Sequence, residues 1–303
     1  MRAHPMTIQS TAAGMPGRSA SRLPDLVLIG VTMIWGFTFL VVQHALHWAG
    51  PFGFVGLRFA VAGLVALLLC RRELAGLTRI ELGTGLLVGS VLFGSYSLQT
   101  LGLQLIPSSK SAFLTGLYVP LVPLFQLLLF RRHPRLAAWL GIAVAFGGLV
   151  LLSDPRGMRL NFGAGEWLTV AGAGMIALEI SLVGRFAGQC HPRRVAVVQL
   201  LTVALLSGIG WQISGEAAVQ AHPVLLLSVL GMGLATALIQ IAMNWAQKTV
   251  PATRATVIYA MEPVWAGVVG AVAGEQVGIM AVSGAALIVA SVLISQLGSQ
   301  SGH

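Results

Sequence analysis

The chain has 303 residues, 56% of them hydrophobic and only 9% charged, with a mean hydropathy of +0.86. A water-facing domain carries about 25% charged residues, so this composition excludes a soluble globule. The net charge of +9 does not point to nucleic acid, because the Lys and Arg residues form short clusters beside apolar runs and no basic stripe interleaved with aromatics is present.

Residues 1–24 hold Arg2, Arg18 and Arg22 and no acidic residue. Residues 1–25 read as a disordered cytoplasmic tail, with a transit peptide as the alternative. Ten apolar runs follow, at 26–46, 51–70, 82–105, 108–130, 136–153, 163–186, 194–214, 222–246, 252–273 and 277–297. As helices, such runs cross the ~30 Å of a hydrocarbon core. The loops between them are short, so successive spans run antiparallel.

With the N-terminus inside, the cytoplasmic segments collect Arg2, Arg18, Arg22, Arg71, Arg72, Arg79, Arg131, Arg132, Arg135, Arg185, Arg193, Arg194, Lys248 and Arg254. The outside receives Lys110, Arg156 and Arg159, and Arg58 lies within a span. The positive-inside rule then predicts a multi-pass membrane protein with both termini cytoplasmic; the membrane expected is a bacterial inner membrane.

The fourth and ninth spans resemble one another. "PSSKSAFLTGLYVPLVPLF" begins at Pro107 and "PATRATVIYAMEPVWAGVV" at Pro251. Each has a cation three residues on (Lys110, Arg254), then an apolar run with an aromatic residue and a proline near its middle, Pro120 or Pro263. A Gly/Ala-rich span follows both. The pattern predicts an all-α membrane protein of ten helices in two five-helix repeats, 26–153 and 163–297, joined by a periplasmic linker at 154–162 and closed by a cytoplasmic tail at 298–303. Five is odd, so the second copy enters from the opposite face. Inverted repeats of this kind recur in secondary transporters, whose site lies near the midplane between the halves.

"MIWGFTFLVVQHAL", "PFGFVGLRFAVAGLVALLL", "LQTLGLQLIPSSKSAFLTGLYVPLVPL" and "VIYAMEPVWAGVVGAVAGEQV" resemble the EamA family of the drug/metabolite transporter superfamily, over about residues 26–297. The sixth and seventh spans match less well. The resemblance implies the EamA fold, an exporter and a substrate class of amino acids, aromatic ones included, and other metabolites. It also implies that Arg58 and Glu262 stand where the family has the same residue types.

Charges at the centre of a membrane helix cost roughly 2.5–3.5 kcal/mol on insertion scales and face the bundle interior or water. Arg58, Glu179 and Glu262 are such residues. Glu262 reads either as a cavity carboxylate that meets an ammonium or carries a proton, or as a partner for backbone groups freed around Pro263. Arg58 reads as a bidentate site for a substrate carboxylate, as an interhelical partner or as a snorkelling side chain, and Glu179 as its partner or a proton site. Trp35, Thr38, Tyr96, Gln99, Tyr118, Gln199, Gln240, Asn244 and Tyr259 also fall inside spans, each a candidate for the cavity lining or for an interhelical contact. Pro120 and Pro263 are candidate bending points for gating.

"GLLVG" (85–89) and "GAVAG" (270–274) allow close helix approach. "GAGMIA" (172–177) lies in a span with no preceding strand and is no dinucleotide fingerprint. Trp48, Trp139, Trp167 and Trp211 fall near span ends, as an interfacial belt requires. Cys70 and Cys190 imply no disulfide framework. There is no HExxH, no GxSxG and no Cys/His cluster, so neither enzyme activity, a metal nor a cofactor is expected. "RRHPR" and "HPRR" read as headgroup anchors and topology signals.

The expected protein is a monomeric ten-helix exporter of small metabolites, most of all amino acids, working by alternating access from a cavity lined by spans 1–4 and 6–9. Its partners are a small-molecule substrate and the lipid bilayer. A multidrug or nucleotide-sugar carrier, a channel-like facilitator and a non-transporting enzyme or scaffold remain alternatives.

Overall fold

A computed structural model describes residues 22–131, 133–153, 163–272 and 278–300. The tail up to residue 21, the linker 154–162, Arg132 and Gly274 lie outside them. Among the described residues every regular element is a helix.

Seven of the ten spans are single helices: α3 (Pro51–Leu74), α4 (Arg79–Leu105), α7 (Leu136–Ser153), α8 (Ala164–Phe186), α9 (Pro192–Ser214), α10 (Pro223–Ala246) and α13 (Ile279–Gln300). Three are broken: the first into α1 (Leu23–Trp35) and α2 (Thr38–Ala45), the fourth into α5 (Ser108–Thr115) and α6 (Tyr118–Leu128), the ninth into α11 (Ala252–Tyr259) and α12 (Glu262–Val272). Prolines sit in the first turn of α3, α9 and α10, where the missing N–H has no helical partner to lose. The end where α1 begins is called proximal below, and the opposite end distal.

The breaks of α5/α6 and α11/α12 are equivalent. Gly116 and Ala260, which cap α5 and α11, each follow the opening proline by nine residues. Tyr118 and Glu262 are then the equivalent first residues of α6 and α12, with Pro120 and Pro263 just inside each new helix. The backbone stays satisfied by tightening: Leu117 N donates to Leu114 O at 3.1 Å, and Met261 N to Ile258 O at 3.0 Å. In hydrocarbon, irregular backbone persists only where such bonds or protein cover it. The α1/α2 break is a feature the sequence reading did not anticipate. It lies where α12 crosses: a Cβ on Gly36 would stand 2.9 Å from Ala266 N, and Trp265 Nε1 donates to Thr32 Oγ1 at 3.0 Å.

Packing pairs the two halves rather than separating them. α7 lies along α13, and α3 along α9; α4 packs on α8 and α9, as α10 packs on α1 and α3. Each contact has a counterpart under exchange of the first five spans with the second five, the signature of a pseudo-two-fold axis in the membrane plane. Polar ties follow the same rule. At the distal end Lys110, opening α5, pairs with Glu166 in the first turn of α8. At the proximal end Arg254, opening α11, pairs with Asp25 in the first turn of α1. Glu216, after α9, accepts the Phe52 and Gly53 N–H groups at the start of α3, both at 3.0 Å. Its counterpart Glu81, in the first turn of α4, accepts His191 N at the start of α9 at 2.9 Å and pairs with Arg194 at 3.1 Å. Carboxylates at helix starts are favoured by the unsatisfied N–H groups there.

The GLLVG pattern marks the α4–α9 seam. A Cβ on Gly85 would meet Val198 Cβ at 2.5 Å, and one on Gly89 would meet Thr202 Cβ at 2.6 Å, whereas Gly83 has nothing within 4 Å. Gly89→Ala is therefore expected to destabilise by about 1–3 kcal/mol through overpacking, and Gly83→Ala to stabilise by up to about 1 kcal/mol. Thermal unfolding of both variants in the same micelle checks this; equal midpoints would refute the seam.

Candidate functional site

A cavity of about 690 Å³, its open mouth included, lies between the halves. Its floor is formed by Glu179 and Ile180 of α8, Gln240 and Met243 of α10, Tyr118 of α6 and Glu262 of α12. It reaches toward the distal end, where Val42 of α2 and Leu103 of α4 line it. The proximal half is filled by an apolar cluster that includes Leu28, Val122, Val250, Ile258 and Tyr259. Toward the distal end Val42 and Leu103 belong to a second apolar cluster, with Phe54, Leu225 and Met232.

Nine of the twelve polar and aromatic candidates line this cavity: Trp35, Thr38, Arg58, Tyr96, Gln99, Tyr118, Glu179, Gln240 and Glu262. Arg58 is 3% exposed. Its Nε donates to Thr236 Oγ1 at 2.8 Å, and its guanidinium carbon lies 4.8 Å from the Tyr96 ring centroid. Tyr96 packs edge-on against Phe59, with centroids 4.8 Å apart. The fork is therefore held by the Thr236 hydroxyl and lies beside two rings, Tyr96 and, at 5.7 Å, Phe59. No ion pair joins it to Glu179 or Glu262 among the described residues.

Glu179 accepts from Gln240 Nε2 at 3.3 Å. Glu262 opens α12, so its carboxylate stands at a half-helix N-terminus, where the helix dipole favours negative charge. Glu262, Tyr118, Thr115 and Phe39 also border a second space of about 440 Å³ lined by Gly116, Ala260 and Pro263 at the two helix breaks. Pro120, one turn into α6, lines neither space.

Gln199, Asn244 and Tyr259 do not reach the cavity; they stand one layer behind it. Asn244 Nδ2 donates to Gln199 Oε1 at 3.2 Å, and Gln199 Nε2 to Gln240 Oε1 at 2.9 Å. A row of amides thus runs from the wall carboxylate Glu179 through α10 and α9 to Asn244, which lines a small proximal pocket beside Cys190. Tyr259 is fully buried, accepts from Gln247 Nε2 at 3.2 Å, and meets Trp35 edge-on at 5.2 Å. Among the described residues no side chain of α9 lines the cavity, so the seventh span, expected in the lining, is absent from it.

Sequence reasoning passed over Ser95 and Thr115, which also line the cavity. Thr115 Oγ1 accepts from Gln99 Nε2 at 3.2 Å, and Ser95 Oγ donates to its own helix at Leu92 O. Their only sequence signal is a place one helical turn from Gln99 or Tyr118. Among the described residues no group of three His, Cys, Asp or Glu side chains is placed to hold a metal.

Comparison with known proteins agrees with this architecture. The EamA-like transporter family matches twice, over residues 22–154 and 163–297. An "Uncharacterized transporter" of Archaeoglobus fulgidus is 28% identical over 274 residues, covering 90% of this chain and 85% of the relative. The "Uncharacterized inner membrane transporter YedA" of Escherichia coli K12 is 27% identical over 204 residues, 62% of each chain. A solved crystal structure superposes with a TM-score of 0.77 at 22% identity, over 91% of this chain and 99% of the other, and shares the fold. With both repeats matched along nearly the full length, the chain belongs to the EamA-like transporter family of the drug/metabolite transporter superfamily.

Proposed function

We propose that the protein exports amino acids and related small metabolites across the inner membrane by alternating access. The observation that carries the reading is a membrane-buried cavity whose walls present one guanidinium and two carboxylates that do not neutralise each other. Such groups are expensive among apolar helices, and an α-amino acid complements both signs at once. Its carboxylate meets Arg58, its ammonium meets Glu179 or Glu262, and Trp35, Tyr96 and Tyr118 offer flat faces to its side chain. The basic clusters at the proximal end, Arg71, Arg72, Arg79, Arg193, Arg194 and Lys248, support a cytoplasmic proximal face. Movement around the broken helices at Pro120 and Pro263 then exposes the cavity to each face in turn.

Uptake by proteoliposomes, against a panel of labelled amino acids with and without a pH gradient, is the test. Saturable counterflow of at least one amino acid is expected. Conductance without saturation would indicate a channel, and flux only of bulky cations or sugar nucleotides would move the substrate class. Glu262→Gln is expected to lower counterflow about tenfold or more, the loss of one charge-assisted contact (~1.5–3 kcal/mol), and Tyr118→Phe about fivefold, the loss of one hydroxyl contact (~1 kcal/mol), with the unfolding midpoints little changed. Full counterflow in both variants would remove these residues from the site.

A further inference from the structure

On the outside of the bundle, at its proximal end, α1, α9 and α10 leave a groove of about 970 Å³, open space included. Its rim is Lys248, Arg193 and His191, and its floor is Val27, Leu238, Ile241, Ala242 and Trp245. We infer that this groove is a binding site for an anionic phospholipid of the adjacent leaflet, headgroup on the rim and one acyl chain along α10.

The residues lie in the vertical order that a lipid requires. Lys248 stands in the turn after α10, Trp245 one turn deeper, Ile241 and Ala242 another turn, and Leu238 below them. At 1.5 Å per residue, Lys248 to Leu238 spans about 15 Å along the helix. Cation, indole, then aliphatic wall is the sequence of surfaces from headgroup to hydrocarbon. Trp245 is 39% and Leu238 48% exposed, so the floor faces the lipid phase.

Charge selects the headgroup. Arg194, next to the groove, is committed to Glu81 and to the Glu73 carbonyl. Glu73 also meets Arg193, whose side chain remains 54% exposed. Lys248 has no ion pair among the described residues. The Nδ1 of His191 is buried without a hydrogen-bond partner. The carboxylates of Glu73 and Glu81 face three cations, Arg193, Arg194 and Lys248, which leaves the rim net positive by one charge, complementary to a headgroup whose net charge is negative. Basic pockets between spans on the cytoplasmic side bind such headgroups.

The test uses the full chain in nanodiscs containing lipids with brominated acyl chains, which quench tryptophan on contact. Brominated phosphatidylglycerol is expected to reach half-quenching at a several-fold lower mole fraction than brominated phosphatidylcholine, since each cation near an anionic surface contributes about fivefold. Trp245→Phe should abolish that difference, assigning it to Trp245 among the seven tryptophans. Lys248→Gln with Arg193→Gln should shrink it, and millimolar glycerol phosphate should leave it intact. Equal quenching by both lipids, a difference that survives Trp245→Phe or the double neutralisation, or displacement by glycerol phosphate would each overturn the assignment.

Discussion

Replacing Arg58 by glutamine is expected to lower amino-acid counterflow roughly 30- to 150-fold while the protein stays folded. The size follows from the burial of the guanidinium: a desolvated, hydrogen-bonded charge that meets an opposite charge is worth about 2–3 kcal/mol in binding. The variant loses one bond to Thr236 and the stacking on Tyr96, but it is also relieved of a charge inside the membrane. Stability therefore changes little. Lysine is expected to fail as a substitute, because a point charge lacks the planar fork that spans a carboxylate and lies flat on a ring. Thr236→Val, which removes only the positioning bond, should cost a few-fold. An amine without a carboxylate should be carried equally well by wild type and Arg58→Gln. Unchanged KM and rate for an amino acid in the glutamine variant would exclude Arg58 from substrate binding.

The second large effect concerns the proximal ion pair. Asp25→Asn is expected to lower the unfolding midpoint by roughly 3–5 °C, corresponding to about 2–3 kcal/mol for removing the carboxylate that Arg254 meets in a largely covered place. Asp25 is 5% exposed and ties α1 to the first turn of α11. The double variant Asp25→Asn with Arg254→Gln should recover most of the loss, because removing both charges leaves no uncompensated one. The distal pair, Lys110 with Glu166, should repeat the pattern, since it joins the helices that are equivalent when the two halves are exchanged. Additive losses in either double variant would show that the partners act independently.

The ten spans were legible because hydrocarbon imposes one demand, about 20 apolar residues per crossing, and charge can gather only between them. The repeat was legible from the fourth and ninth spans, where the opening proline, the cation and the internal proline keep their spacing. The acids that the two cations meet were not, because Asp25 and Glu166 lie in other spans and nothing local connects them. Polarity within apolar runs found most of the cavity wall. It also gathered Gln199, Asn244 and Tyr259, because a polar side chain in a membrane helix needs a partner and a neighbouring helix serves as well as a cavity. Ser95 escaped notice for the converse reason: a hydroxyl that bonds its own helix carries no sign of what it faces. The α1/α2 break depends on where α12 crosses, a relation between residues over 200 positions apart.

The amide row from Asn244 to Glu179 has a sense of direction. While Glu179 is ionised it only accepts, so Gln240 must offer it nitrogen, Gln199 must offer nitrogen to Gln240, and Asn244 must do the same to Gln199. The same sense is set from the other end, because Asn244 Nδ2 also donates to the Gln240 backbone carbonyl at 2.8 Å. The chamber wall is in this way offered a nitrogen whose orientation is anchored on the far side of two helices.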